Sequence, residues 1–284
     1  MSEKIKILLE ALPYIKTFSG STFVVKYGGA AMEEESLKKE FARDMVLLKY
    51  VGINPVIIHG GGPEIGRLLR DLKIETKFVD GLRVTDEKTL EVVEMVLSGH
   101  INKEIVKNIC DAGGRAIGIS GKDGKLLTAK KVAGNDIGLV GEIVDVNVDL
   151  IKSMSARGYI PIIAPIAYGI DGNSYNINAD TAAGSIAKAL AAEKFILLTD
   201  VEGVLDKKGE LLSTLKESEI ETLVKDKTIS GGMLPKVDCC INALQGGVRG
   251  AHIINGKIAH AILLEVFTNS GIGTQITGGK YYAG

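Results

Sequence analysis

Val24-Val25-Lys26-Tyr27-Gly28-Gly29-Ala30-Ala31-Met32 decides how the chain is read. The β-formers Phe23 to Val25 run into a lysine, and two glycines precede a helical pattern from Met32. The spacing predicts strand, glycine turn, helix. In an open parallel sheet, ligands bind outside the carboxyl ends of the strands. Lys26 belongs there, beside backbone N–H groups that glycines expose to an anion. An ammonium next to such a nest suits phosphate. A lysine snorkelling from a strand end fits the same residues equally well.

The next unit repeats the pattern more strongly. Pro55-Val56-Ile57-Ile58-His59 is an apolar run of the kind buried on both faces of a sheet. It ends in Gly60-Gly61-Gly62-Pro63, and Ile65, Leu68, Leu69 and Leu72 follow at helical spacing. Three adjacent glycines carry an entropic cost that close contact with a ligand would justify.

Further along, Phe78 to Val84 reads as a short hairpin around Asp80-Gly81, and a long helix is expected at about 86–111. Residues 115–148 read as short strands with turns at 121–124 and at Gly134-Asn135-Asp136. Tyr159 to Ala164 and Phe195 to Thr199 are buried strands, the second ending at Asp200. An alanine-rich helix is expected at 181–192, and Gly231-Gly232-Met233-Leu234-Pro235-Lys236 opens another. A strand at 251–254, an apolar stretch at 261–267 and a glycine turn at 271–274 finish the chain.

Strands alternating with helices predict an α/β fold, a three-layer α/β/α sandwich around one mainly parallel open sheet. Three parts are expected: an N-terminal helix over 1–20, an N-lobe over 21–179 and a C-lobe over 180–284, both lobes sharing one sheet. The N-terminal helix carries Ile5, Leu8, Leu9, Leu12 and Ile15 as an apolar stripe, with Pro13 as a candidate kink. It precedes the alternating unit, so it packs either on its own domain or on a neighbouring subunit.

Bulk properties exclude several classes. The net charge is −1, with acid and base spread along the chain, and nothing resembles the basic footprint of a nucleic-acid binder. No apolar run approaches the roughly 20 residues of a membrane span. The charged N-terminus does not resemble a signal peptide. Cys110, Cys239 and Cys240 lack C-x-x-C spacing, and the four histidines lack H-E-x-x-H, so neither disulfides nor a bound metal is expected and a cytoplasmic home is. A P-loop is absent, since Ala116 and Asp123 occupy the positions where the motif needs Gly and Ser/Thr around Gly121-Lys122. Gly60, Gly62 and Gly66 miss the dinucleotide fingerprint by one residue. There is no G-x-S-x-G for a serine hydrolase.

Two lysines beside glycine pairs remain, Lys26 and Lys236, with Asp180 at a helix start between them. Phosphoryl transfer needs positioning and cancellation of spread negative charge. Two ammonium groups held by one carboxylate would suit it, although Asp180 also suits a helix N-cap. A carboxylate acceptor, with a pKa near 4, needs no general base at neutral pH. Arg83 offers a fork for a carboxylate. Asn176 and Asn178 alternate, so they share a strand face toward a cleft or serve as turn residues. His59 reads as structural.

TFVVKYGGAAM, VIIHGGGPEI, FVDGLRVTD, YNINADTAA, LLTDVEGV, SGGMLPKV and HIINGKIAHAILLEVF resemble the acetylglutamate kinases of the amino acid kinase family, over essentially the whole chain. The resemblance implies MgATP-dependent phosphorylation of the γ-carboxylate of N-acetyl-L-glutamate, the second step of arginine synthesis. It implies that Lys26 and Lys236 stabilise the transition state and that Asp180 orients them. Gly61, Gly62, Arg83, Asn176 and Asn178 would bind the amino-acid substrate. Gly28 and Gly29 would cover the phosphates. Thr199, Asp200, Val201, Gly203, Val204, Gly231, Gly232 and Met233 would form the nucleotide site. Another amino acid kinase, for glutamate or aspartate, or a non-catalytic sensor on the same fold, are the alternatives. Family members with an N-terminal helix resembling this one form hexamers inhibited by arginine, so the resemblance also implies a homohexamer built as a trimer of dimers, with arginine bound at Tyr14, Lys194, Glu265 and Gly271.

Overall fold

A computed structural model describes residues 3–133, 136–268 and 271–278. Within them the chain runs α1 (Glu3–Phe18), β1 (Thr22–Tyr27), α2 (Glu35–Tyr50), β2 (Asn54–His59), α3 (Gly62–Asp71), β3 (Phe78–Val79), β4 (Leu82–Arg83), α4 (Glu87–Glu94), α5 (Asn102–Asp111) and β5 (Ala116–Gly121). It continues through β6 (Leu127–Lys131), β7 (Gly141–Val146), α6 (Val148–Ala156), β8 (Ile160–Gly169), β9 (Ser174–Asn176), α7 (Ala179–Ala189) and β10 (Lys194–Thr199). β11 (Thr214–Lys216), α8 (Glu217–Lys225), α9 (Leu234–Gln245), β12 (Gly250–Asn255), α10 (Ala261–Phe267) and β13 (Thr274–Thr277) follow.

One sheet, ordered β11-β13-β12-β10-β1-β2-β8-β6-β7 with β5 and β9 also on β8, passes through the whole molecule. Its central pairs are parallel: β1 pairs with β10 on one side and with β2 on the other. The strand order therefore changes direction at β1, and Lys26 lies at that switch, opposite Leu197 and Ile58.

Strand alternation builds the layers. Phe23, Val25, Ile57, Ile162 and Ile196 point into a core closed by Met45 of α2, Leu69 of α3, Val93 of α4, Ile109 of α5 and Ile262 of α10. Val24, Val56, Ile58, Ile163 and Leu197 point into the opposite core, closed by Ile151 of α6, Ile186 of α7, Ile220 of α8 and Val237 of α9. Helices thus cover both faces, as the alternating pattern predicts.

Differences from the sequence reading are local. The expected helix at Met32 is one turn of 3-10 helix, Gly29–Met32, and α2 begins only at Glu35. The long helix at 86–111 is interrupted by a π-helical segment, Met95–Ile101, between α4 and α5. α1 continues through Pro13 without ending there. In the turn expected at 134–136, Gly134 and Asn135 lie outside the described residues. Among the described residues no helix is long and apolar enough to cross a membrane, and the three cysteines are free.

Candidate active site

Lys26 shares the parity of Val24, so its side chain leaves β1 toward the layer that holds α7 and α9. Gly28 makes room for it: a Cβ there would lie 2.9 Å from Lys26 Nζ. Asp180, in the first turn of α7, receives it. Lys26 Nζ lies 3.0 Å from Asp180 Oδ1 and Lys236 Nζ donates to Oδ2 at 2.8 Å. Oδ1 is buried and accepts no hydrogen bond, so its partner is the charge of Lys26, off the hydrogen-bond line. Burial pushes the Asp180 carboxyl up, but the two ammonium groups outweigh it and hold the pKa below the usual carboxylate value. One carboxylate thus fixes two cations, brought together from β1 and the first turn of α9.

Asp180 is free for this work because it is not the helix cap. Asn178 is: its Oδ1 accepts from the N–H groups of Asp180 and Thr181 at 2.9 and 3.1 Å. Of the two readings of Asn176 and Asn178, the shared strand face fails for Asn178. β9 ends at Asn176, and Asn178 already belongs to the helix start.

A second contact holds α7 to α9. Gly184 has no side chain where a Cβ would sit 2.6 Å from Cys239 Sγ. Cys239 donates its thiol proton to the Asp180 carbonyl at 2.9 Å. Burial pushes the thiol up to about 12, so it keeps that proton. In the sequence its one signal is its position three residues after Lys236.

Two adjoining cavities open at the C-terminal ends of β1 and β2. One, of about 170 Å³, is lined by Lys26, Asp180, Gly28 and Gly29 together with Gly60 to Gly62. The other, of about 200 Å³, shares Gly60 to Gly62 and reaches Arg83, Phe78 and Asn176. Gly61 and Gly62 stand at the N-terminus of α3, where N–H groups without helical partners favour an anion. Arg83 stacks over the Phe78 ring, 4.7 Å from its centroid, and donates to Thr76 Oγ1 and to Gly62 O. Asn176 donates to Thr85 Oγ1 at 3.3 Å. The cleft therefore has a guanidinium at one end, glycine N–H groups in its floor and the Lys26 ammonium at the other end, with Lys236 joined to it through Asp180.

On the far side of Lys26, the strand end at Thr199 leads to Asp200, whose Oδ1 sits where a Cβ of Gly29 would lie 2.3 Å away. Gly29, with φ 65°, tolerates this approach. Val201 is exposed, whereas Gly203 and Val204 are buried; the Val204 N–H donates to Thr274 Oγ1 at 2.8 Å. Gly231 and Gly232 are exposed and open in front of Met233 and α9. Among the described residues no group of three or more His, Cys, Asp or Glu is placed to hold a metal ion.

At the opposite end of β10, Lys194 Nζ lies 5.2 Å from the centre of the Phe18 ring at the end of α1. It donates to His252 Nε2 at 3.0 Å, and His252 Nδ1 donates to Glu265 Oε1 at 2.7 Å. Glu265 also accepts from the N–H groups of Ile272 and Gly273. Burial pushes its carboxyl up, yet His252 and the two N–H groups bring it below the ordinary value. Gly271, with φ 59°, leaves space for this carboxylate. Glu265 is a buried hub. His252 joins it to Lys194, a role that its alternating apolar surroundings concealed in the sequence.

Comparison with known proteins shows the family of the chain. The amino acid kinase family model matches residues 21–255. An acetylglutamate kinase of Caldanaerobacter subterraneus subsp. tengcongensis is 60% identical over 277 residues, covering 96% of this chain and 93% of that protein. One from Geotalea daltonii is 56% identical over 285 residues, covering 96% and 98%. The N-acetylglutamate synthase of Neisseria gonorrhoeae, solved with coenzyme A and N-acetyl-glutamate, superposes with a TM-score of 0.86 at 28% identity, covering 97% of this chain and 64% of that one. This chain thus spans just under two thirds of that synthase. Giardia carbamate kinase, at 18% identity and a TM-score of 0.68, shares the fold. The chain belongs to the amino acid kinase family and, within it, to the acetylglutamate kinases.

Proposed function

We propose that the chain transfers the γ-phosphoryl group of MgATP to the γ-carboxylate of N-acetyl-L-glutamate, as the acetylglutamate kinases it matches are named for doing. The observation that carries this reading is the Lys26–Asp180–Lys236 bridge at one end of a cleft whose other end holds Arg83. Arg83 would grip the α-carboxylate, and Gly61 and Gly62 would donate N–H groups to the substrate's carboxyl end. Asn176 would bind the same substrate, with Asn178 shaping the wall through its cap. The acceptor carboxylate is ionised at neutral pH, so no base is required. Lys26 and Lys236 would neutralise the charge spreading over the equatorial oxygens during transfer. Gly28 and Gly29 would offer N–H groups to the phosphates. Thr199 to Val201, Gly203 and Val204 would line the nucleotide site with Gly231 to Met233. The magnesium ion would enter with the nucleotide. A cytoplasmic location fits free thiols and a biosynthetic reaction.

A coupled ADP-release assay with N-acetylglutamate, glutamate and aspartate tests the assignment. Turnover confined to the acetylated acid supports it. Turnover of a free amino acid would point to another amino acid kinase, and ligand binding without turnover to a sensor. Arg83→Lys keeps the charge but loses the planar fork. Its KM for N-acetylglutamate should rise about tenfold, with KM for ATP unchanged; equal changes in both would place Arg83 outside the substrate cleft.

For regulation, α1 is the arm. Leu9 and Leu12 are 51% and 55% exposed, an apolar stripe that a second subunit would cover. The reading is a hexamer, a trimer of dimers joined through α1, with arginine bound among Tyr14, Lys194, Glu265 and Gly271 and favouring a less active arrangement. Deleting residues 1–18 should then leave a smaller, active enzyme with weakened arginine inhibition. Sedimentation and inhibition curves decide it; an unchanged oligomer with unchanged sensitivity would sink the idea.

A further inference from the structure

The π-helical segment Met95–Ile101 lies directly behind the glycine loop. π-bulges recur at functional sites, because an inserted residue turns everything after it by about 100° relative to a regular helix. Here the insertion has two consequences. Leu97 and Ile101 fill the space under Gly61: a Cβ on Gly61 would lie 2.3 Å from Ile101 Cδ1 and 2.8 Å from Leu97 Cδ2. The next residue, Asn102, is fully buried and faces His59, the last residue of β2.

The orientation of the Asn102 amide follows from its neighbours. Its Oδ1 accepts from Lys103 Nζ at 3.0 Å, and Lys103 also donates to Gly118 O at 2.8 Å. Its Nδ2 lies 3.1 Å from Ile162 O, 3.3 Å from Ile119 O and 3.2 Å from His59 Nε2. The oxygen is committed to an ammonium, so the amide N–H groups face the carbonyls and the imidazole. Nδ2 carries two hydrogens for these three acceptors, so one is shared; Nε2 is the acceptor that an N–H facing the ring requires, and the carbonyl of Gly60 beside Nδ1 places the ring proton there. Nδ1–H donates to Gly60 O at 3.0 Å. Burial pushes the imidazole down to about 4, and the Lys103 charge acts in the same direction, so the ring is neutral at physiological pH.

A trans peptide holds its C=O and N–H antiparallel. Pinning Gly60 O therefore fixes the direction of the Gly61 N–H, in a loop that lines both cavities. We infer that Asn102 and His59 are positioning residues for substrate binding: Asn102 selects the Nδ1–H tautomer of His59, and His59 locks the Gly60–Gly61 peptide in the orientation that presents its N–H to the acyl substrate. The inference rests on the kinase reading above for the identity of that substrate. The tautomer relay itself is independent of it.

Two measurements test the relay. Nitrogen-15 NMR of the wild-type imidazoles should show His59 as a neutral Nδ1–H tautomer at neutral pH. In Asn102→Ala, which removes the donor to Nε2 and leaves the Gly60 carbonyl alone to set the tautomer, an Nε2–H fraction should appear, and KM for N-acetylglutamate should rise about tenfold, the scale of one misdirected hydrogen bond. KM for ATP should stay unchanged, a split that general loosening of the fold would not produce. Asn102→Asp, of the same shape, places an acceptor against Nε2 and should convert His59 to the imidazolium, whose Nδ1–H is retained. Its KM for N-acetylglutamate should lie nearer the wild-type value than that of Asn102→Ala. An Nε2–H tautomer in the wild type would overturn the inference, even if neither variant folds. So would an unchanged KM in folded Asn102→Ala, or a parallel rise in both KM values. Absence of wild-type turnover with N-acetylglutamate would instead refute the substrate assignment and leave the tautomer result standing.

Discussion

Lys26→Ala and Lys236→Ala are each expected to lower kcat by on the order of 10² or more, the scale for losing one preorganised electrostatic group. The two ammonium groups stand on opposite sides of one carboxylate, 3.0 and 2.8 Å from its oxygens. They are held in place before any substrate arrives, so no reorganisation is needed as charge develops on the phosphoryl oxygens. The loss should fall mainly on kcat, because the transferring group gains its spread charge only at the transition state. KM for N-acetylglutamate should move little, since Arg83 and the glycine N–H groups lie elsewhere in the cleft. Neither variant should unfold: Asp180 keeps one cation in each. Steady-state kinetics with a thermal melt as control is the measurement, and near-normal kcat in either variant would remove that lysine from the proposed chemistry.

Much of this arrangement was legible in the chain because it depends on period. Val24 and Lys26 share parity, so the face on which Lys26 emerges follows from the apolar alternation of one strand. The glycine runs at 28–29 and 60–62 mark the strand ends, and a parallel sheet puts those ends on one edge. What escaped depends on contacts between residues distant in sequence. The π-helical segment hides inside an apolar helical pattern, Val96, Leu97 and Ile101, with Ser98-Gly99 as its one local signal; what shows only in the fold is that Leu97 and Ile101 meet Gly61 while Asn102 meets His59. For Asn178 the sequence leaves strand and turn both open, because period two and a helix start overlap in Tyr175-Asn176-Ile177-Asn178-Ala179-Asp180. His252 and Glu265 are thirteen residues apart, and only the packing of α10 under β12 turns them into a buried pair.

Asp180→Asn is expected to be as costly as the loss of a lysine, for a different reason. The amide nearly matches the carboxylate in shape but carries no charge and presents an NH₂ group to one of the ammonium groups. Two cations then face each other across a half-buried gap and move apart. Turnover should fall by on the order of 10², because both groups leave the geometry that matches the phosphoryl oxygens. The folded state should lose about 1–3 kcal/mol, less than the roughly 3–5 kcal/mol of a fully buried broken pair, since the lysine side chains keep 12% and 22% exposure. The sign of the pH effect follows from the lowered pKa of Asp180. In the wild type this bridge contributes stability above the unfolded carboxylate pKa of about 4, and the contribution is lost as pH falls through the lower folded value. That part of the acid slope should vanish in the variant. The uncompensated positive charge also makes a distinct prediction: MgATP or inorganic phosphate, binding only the folded form, should raise the melting temperature of Asp180→Asn more than that of the wild type. Equal thermal shifts, together with wild-type turnover, would show that the two lysines do not depend on Asp180 for their placement.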